Sequence, residues 1–182
     1  SDKFRITFMM DYKHPSLGTQ YTSYYSTREK FINDVAPART FCLLSEVNNL
    51  LDLGLIKGGN LENSLVFSDT TLDADQQKQI VDSLGIKEDN MLASGDLINN
   101  TKLRFYNEPV RHKLLDLIGD LSLLGHPIRG HIIAARSGHN TNVEFAKKIS
   151  KSYFKKGINY KMSTKKEKIS FDIKEVLNIL PH

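Results

Sequence analysis

Hydrophobic and polar positions divide this chain into strands and helices. From Phe4 to Tyr12 (FRITFMMDY) and from Gln20 to Ser26 (QYTSYYS), β-branched and aromatic residues dominate, and the intervening KHPSLGT carries proline and glycine. This predicts two strands joined by a loop and paired antiparallel. Thr27 suits a helix N-cap, with Lys30 in place of the glutamate of a capping box, so a helix is expected over 28–36 with Pro37 at its end. Next come a strand (Thr40 to Leu44), a short helix (Glu46 to Leu53), the breakers Gly54, Gly58 and Gly59, and a second strand (Ser64 to Phe67), together a βαβ-like unit.

The clearest helix runs from Glu108 to Leu124, where Val110, Leu114, Leu117, Leu121 and Leu124 recur at steps of four and three. Gly125 and Pro127 close it. Arg129 to Arg136 (RGHIIAAR) predicts a strand, and His139 to Phe154 a lysine-rich helix. Residues 69–102, rich in Asp, Asn, Gln and Lys with one helix-like stretch from Asp73 to Leu84, suggest a surface insertion. The fold class these elements support is α+β. A two-layer sandwich is expected, with a mainly antiparallel sheet (3–12, 19–26, 129–136) packed with helices and a βαβ insert at about 39–67 projecting from it.

Composition narrows the functional classes. The chain has 182 residues, 40% hydrophobic and 25% charged, enough for one domain with a real core. No apolar run approaches the roughly 18 residues of a membrane span, and SDKFRITFMMDY lacks a signal-peptide layout, so no membrane span is expected. The single cysteine, Cys42, sits among Phe41, Leu43 and Leu44; it excludes an internal disulfide, favours a reducing cytoplasm and reads as a buried inert thiol. The net charge of +4 is concentrated: residues 147–168 hold nine lysines against Glu167, leaving the rest of the chain acidic. Arginines and interleaved aromatics are scarce in that stretch, so a solvated helix end and linker is expected and no nucleic acid partner.

His112, Asp116 and Asp120 recur every four residues on the strongest helix, each turned about 40° from the last. An imidazole and a carboxylate spaced i, i+4 can converge on one metal ion. The same spacing also suits the solvated face of any amphipathic helix. Asp120, one turn further on, and His139, at a Ser-Gly junction between strand and helix, strengthen the chemical reading.

Four segments in order, ARTF at 38–41, LGLIKGGNLENSLVF at 53–67, LRFYNEPVRHKLLDLIGDLSLLGHPIRG at 103–130 and SGHNTN at 137–142, resemble successive motifs of the second domain of the zinc-dependent UDP-3-O-acyl-N-acetylglucosamine deacetylases of lipid A biosynthesis. The resemblance covers about 3–154, interrupted by 69–102. It implies that His112 and Asp116 are Zn2+ ligands and that Asp120 orients His139, the general acid, and favours its protonated form. It also implies that Thr40 donates to the oxyanion of the tetrahedral intermediate and that Lys113, Arg136 and Phe41 contact the UDP-sugar. Arg136 stands where the family often has lysine, which keeps the charge and changes its geometry. The bland reading of Phe41, Leu43, Leu55 and Val66 is core packing.

The family's third zinc ligand and general base belong to its first domain, which has no counterpart in this sequence. His14, His126 and His131 do not fit that motif: the first two read as surface or turn histidines, and His131 as a packed strand residue. The isolated chain is therefore expected to lack deacetylase activity. The division implied is a deacetylase second domain at 1–154, a linker at 155–170 and, at 171–182, FDIKEVLNILPH, which resembles the opening of a 3-hydroxyacyl-carrier-protein dehydratase with His182 as its first catalytic residue. A non-catalytic module binding nucleotide-sugars or acyl chains is the alternative, and it needs no metal.

Overall fold

The computed structural model describes residues 3–52, 63–69, 73, 75, 78, 81–82, 97–98 and 101–155. Strand β1 (Phe4–Asp11) pairs antiparallel with β2 (Thr19–Tyr25), with Thr7 opposite Ser23. Its Ile6, Phe8 and Met10 alternate into the core, as the period of two requires. In the turn between them, Tyr12 N–H donates to the carbonyl of Gly18, whose positive φ of 50° glycine adopts without strain.

Thr27 caps a single helical turn, α1 (Arg28–Lys30), by accepting from Lys30 N–H at 3.2 Å. The expected helix then widens into a π turn, Phe31–Val35, closed by Ala36 N–H on Phe31 O at 2.8 Å. The Asp34 carbonyl accepts from Arg111 Nη1 at 2.8 Å, so a side chain from another helix takes a group the local ladder gives up. Beyond it, β3 (Thr40–Leu43), α2 (Leu44–Asp52) and β4 (Ser64–Phe67) form the βαβ unit, its two strands parallel and in register from Thr40 opposite Ser64.

Helix α3 (Glu108–Ser122) buries Val110, Leu114, Leu117 and Leu121 against Ile6, Phe8, Met10 and Tyr24. Gly125, at φ 67°, terminates the run by donating to Ser122 O. Strand β5 (Gly130–Ala135) leads into α4 (His139–Lys155), which packs beside α3 through Ala146 and Phe145.

The main sheet has the order β2-β1-β5. The expectation of a mainly antiparallel sheet is corrected at one pairing: β5 runs parallel to β1, Phe4 opposite Gly130 through Met9 opposite Ala135. Arg136 N–H extends the ladder onto Met9 O. Two layers, sheet and helices, remain as expected. The parallel pairing has a consequence for the site, because the chain leaves β5 at the same edge as the end of β1 and delivers His139 at the start of α4. Most of the helix-like stretch 73–84 and most of 69–102 lie outside the described residues, as do 156–182 with the expected linker and tail. No helix among the described residues is long and apolar enough to cross a membrane.

Candidate active site

Helix α3 presents its second stripe to β3 and α4 rather than to open water. The side chains of His112, Asp116 and Asp120 are only 18%, 15% and 15% exposed. His112 Nδ1 lies 3.0 Å from the carbonyl oxygen of Ala38. A carbonyl can only accept, so Nδ1 carries the proton and Nε2 is left with its lone pair toward Asp116. The Nε2 to Asp116 Oδ1 separation is 3.4 Å. That is longer than an ordinary N–H···O bond of about 2.7–3.2 Å. It matches the spacing of two donors each about 2.0–2.1 Å from one tetrahedral ion, which stand roughly 3.3–3.4 Å apart. His112 and Asp116 are thus a fitting donor pair, and among the described residues no set of three His, Cys, Asp or Glu side chains completes a metal cage.

His139 meets this pair from α4. Its Nδ1 donates to Asp120, 2.9 Å from Oδ2 and 3.1 Å from Oδ1. With that nitrogen anchored, Nε2 turns to Asp116, 3.9 Å from Oδ2. The imidazole therefore has one edge held by a carboxylate and the other at the His112–Asp116 pair, an arrangement able to move a proton at Nε2. Asn142, three residues further along α4, donates from Nδ2 to Asp120 Oδ2 at 2.9 Å. Sequence reasoning missed this residue. Its signal was the i, i+3 spacing from His139 within SGHNTN, which puts both side chains on one face of the first turn.

A buried ion pair sets the other wall. Glu108 is fully buried and accepts from Arg39 Nε at 2.8 Å, Arg39 Nη2 at 3.0 Å, the Arg39 backbone N–H at 3.0 Å and the Arg104 backbone N–H at 2.6 Å. Burial works to raise its pKa, and the hydrogen bonds from Arg39 and the two backbone amides outweigh it, holding the carboxyl below its ordinary value. Arg39 Nη2 also donates to Lys102 O at 2.7 Å. The pair fixes residues 38–40 beside α3, with Ala38 O on His112 and Thr40 exposed at the start of β3.

Lys113 Nζ sits 3.6 Å from Asp116 Oδ2 and 5.6 Å from the centre of the Phe41 ring, joining those residues to the cluster. Phe41 also packs edge-on against Tyr12 and Phe67, so it is both core and site wall. Arg136 is exposed at the strand end, three residues before His139, and adopts a positive φ of 54°, an uncommon backbone for arginine.

The remaining titratable residues fall elsewhere. His14, expected as a surface or turn histidine, lies in the turn between β1 and β2. It is buried, its Nε2 donates to Ser68 O at 3.2 Å, its Nδ1 accepts from Ser16 N–H, and its ring packs on Phe67. His131 meets Thr7 Oγ1 at 2.9 Å, and burial with the nearby Arg5 charge holds it below its usual pKa. His126 packs on Tyr153. Cys42 is half-buried, and burial followed by the Glu46 and Asp69 charges pushes its thiol up to about 11, in keeping with an inert thiol.

The family described as UDP-3-O-acyl N-acetylglycosamine deacetylase (LpxC) matches this chain over residues 1–83 and 83–151. The bifunctional enzyme LpxC/FabZ of Chlorobaculum tepidum is 42% identical over 183 residues, covering 100% of this chain and 39% of that protein. The UDP-3-O-acyl-N-acetylglucosamine deacetylase of Chlamydia caviae is 42% identical over 149 residues, covering 81% of this chain and 44% of its own length. That of Chlamydia pneumoniae is 41% identical over 150 residues, 82% of this chain and 44% of the relative. The chain thus spans about two fifths of the length of these relatives. On the match along both segments and identity at this level, the chain belongs to the UDP-3-O-acyl-N-acetylglucosamine deacetylase family.

Proposed function

We propose that this chain is the second half of a zinc-dependent deacetylase of lipid A biosynthesis, which hydrolyses the N-acetyl amide of UDP-3-O-(3-hydroxyacyl)-N-acetylglucosamine to acetate and a free amine. The observation that carries the reading is the meeting of three groups: the His112 Nε2 to Asp116 pair at tetrahedral donor spacing, and a His139 whose Nε2 faces it while Nδ1 is anchored on Asp120. His112 and Asp116 would hold the ion. When bound, Zn2+ supplies a water acidic enough to attack near neutral pH and polarises the amide carbonyl.

The chain's own residues do the rest. As the C–N bond breaks, His139 gives the Nε2 proton to the departing amine, while Asp120 stabilises the imidazolium through Nδ1. The exposed Thr40 hydroxyl donates to the oxygen that gains charge. Lys113 and Arg136 meet the diphosphate, and Phe41 lines the sugar side. The third zinc ligand and the general base come from outside these 182 residues, so the isolated chain does not turn over substrate. The work is cytoplasmic, in keeping with a single unreactive cysteine.

The match to the Chlorobaculum tepidum bifunctional enzyme over all of this chain supports a dehydratase fused after a linker at 155–170, with 171–182 as its beginning. The test is acetate release from UDP-3-O-acyl-N-acetylglucosamine by the full deacetylase polypeptide, by His112→Ala and by chain 1–182. The full polypeptide alone should be active and lose activity to a chelator; chelator-sensitive turnover by 1–182, or full activity in His112→Ala, overturns the reading.

A further inference from the structure

We propose that Asn142 is a positioning residue that fixes the Asp120 carboxylate, and through it selects which nitrogen of His139 faces the His112–Asp116 pair. The inference rests on the deacetylase reading for its catalytic consequence and on geometry alone for its structural one.

His139 is 65% exposed, so its own packing does little to hold the ring. Asn142 is 2% exposed, and its backbone N–H closes the first turn of α4 on Gly138 O at 2.9 Å. Its side chain therefore starts from a fixed place. Nδ2 donates to Asp120 Oδ2, the same oxygen that His139 Nδ1 approaches at 2.9 Å. Two donors from one face of one helical turn thus converge on one carboxylate, and the buried one defines where it lies.

The choice of an amide matters. Asp120 stands one turn from Asp116 on α3, and among the described residues its side-chain hydrogen bonds come from Asn142 and the exposed His139 ring. A lysine or arginine at 142 would restrain it too, but as a cation would compete with His139 for its charge. An amide orients the carboxylate and leaves the charge available. With Asp120 fixed, Nδ1 keeps its proton in the charged and the neutral ring alike, and Nε2, presented to Asp116, is the nitrogen that gives up its proton. A neutral imidazole free in water exchanges between its two tautomers, so loss of the Asn142 bond should return the ring to a mixture.

The experiment is the long-range 1H–15N correlation spectrum of chain 1–182, at a pH where the ring is neutral, with the His139 signals assigned by their absence in His139→Ala. Wild type should show a single Nδ1–H tautomer, and Asn142→Ala should show averaged nitrogen shifts while the other amide signals keep their dispersion. In the full deacetylase polypeptide the same variant should lower kcat roughly tenfold, with KM within about twofold, the scale of loss when an orienting partner is removed. An unchanged tautomer in Asn142→Ala overturns the assignment. If Asn142→Ala loses its fold, Asn142→Ser is read in the same way, and if both unfold, Asn142 is a structural residue and the assignment falls. An inactive wild-type polypeptide with the expected tautomer change would count against the deacetylase reading and leave the positioning role standing.

Discussion

Arg39→Met should be the most informative single change to the frame of the site. It removes two charge-assisted hydrogen bonds to a carboxylate that has no access to water, leaving Glu108 with the backbone N–H groups of Arg39 and Arg104. Breaking one side of a buried pair costs about 3–5 kcal/mol, because the surviving charge stays buried. For a domain of this size, each kcal/mol lowers Tm by about 2–4 °C, so the loss should be on the order of 10 °C. Thermal unfolding at pH 7 measures it. Arg39→Met/Glu108→Leu, which removes both charges, should recover much of the loss.

The pH dependence has a definite sign. Glu108 has a folded pKa below its ordinary value of 4.5, so the stability it contributes is fully present above that value and disappears as pH falls through the folded pKa. The stability gap between wild type and Glu108→Gln should therefore narrow on acidification from pH 6 to 3. A loss below about 1 kcal/mol in Arg39→Met, the range of exposed pairs, would refute the reasoning, as would a gap that stays constant over that range.

Leu114→Ala, which truncates a buried side chain facing β1, should cost about 2–5 kcal/mol in urea unfolding without altering the His139–Asp120 contact. Cys42 should label slowly with iodoacetamide at pH 8, where a thiol at about 11 is only about one thousandth thiolate. Arg136→Gly should relieve backbone strain of about 1 kcal/mol at φ 54° and leave Tm equal or higher, while KM for the UDP-sugar rises; an unchanged KM would remove the nucleotide contact assigned to this cation.

Local patterns were legible in the sequence where the chain's own period decides the outcome. The Val110, Leu114, Leu117 and Leu121 stripe, the Thr27 cap, the end at Gly125 and the alternation of β1 all follow from spacing that neighbouring residues impose. So does the alignment of His112, Asp116 and Asp120, since four residues on a helix return nearly to the same azimuth. Partners far apart in sequence left no such mark. The direction of β5 against β1 is set between residues more than a hundred apart, and the six residues GHIIAA are too few for their apolar pattern to tell parallel from antiparallel pairing. The Arg39–Glu108 pair and the His14 contact with Ser68 are tertiary matches between ordinary polar residues. The π turn at Phe31–Val35 carries a contact from Arg111 on α3 to the Asp34 carbonyl, a partner 77 residues away that no local propensity encodes. Asn142 lies between these cases, since its spacing from His139 was visible and its acceptor on α3 was not.

The central claim is that His112 and Asp116 hold the metal on which acetate release depends. Its most direct test is bound zinc per polypeptide, by elemental analysis after dialysis, measured alongside acetate release for the full deacetylase polypeptide and its His112→Ala and Asp116→Ala variants. The account predicts one zinc and activity in wild type, with both lost in each variant while the fold persists. A variant that keeps its zinc and its turnover would contradict it.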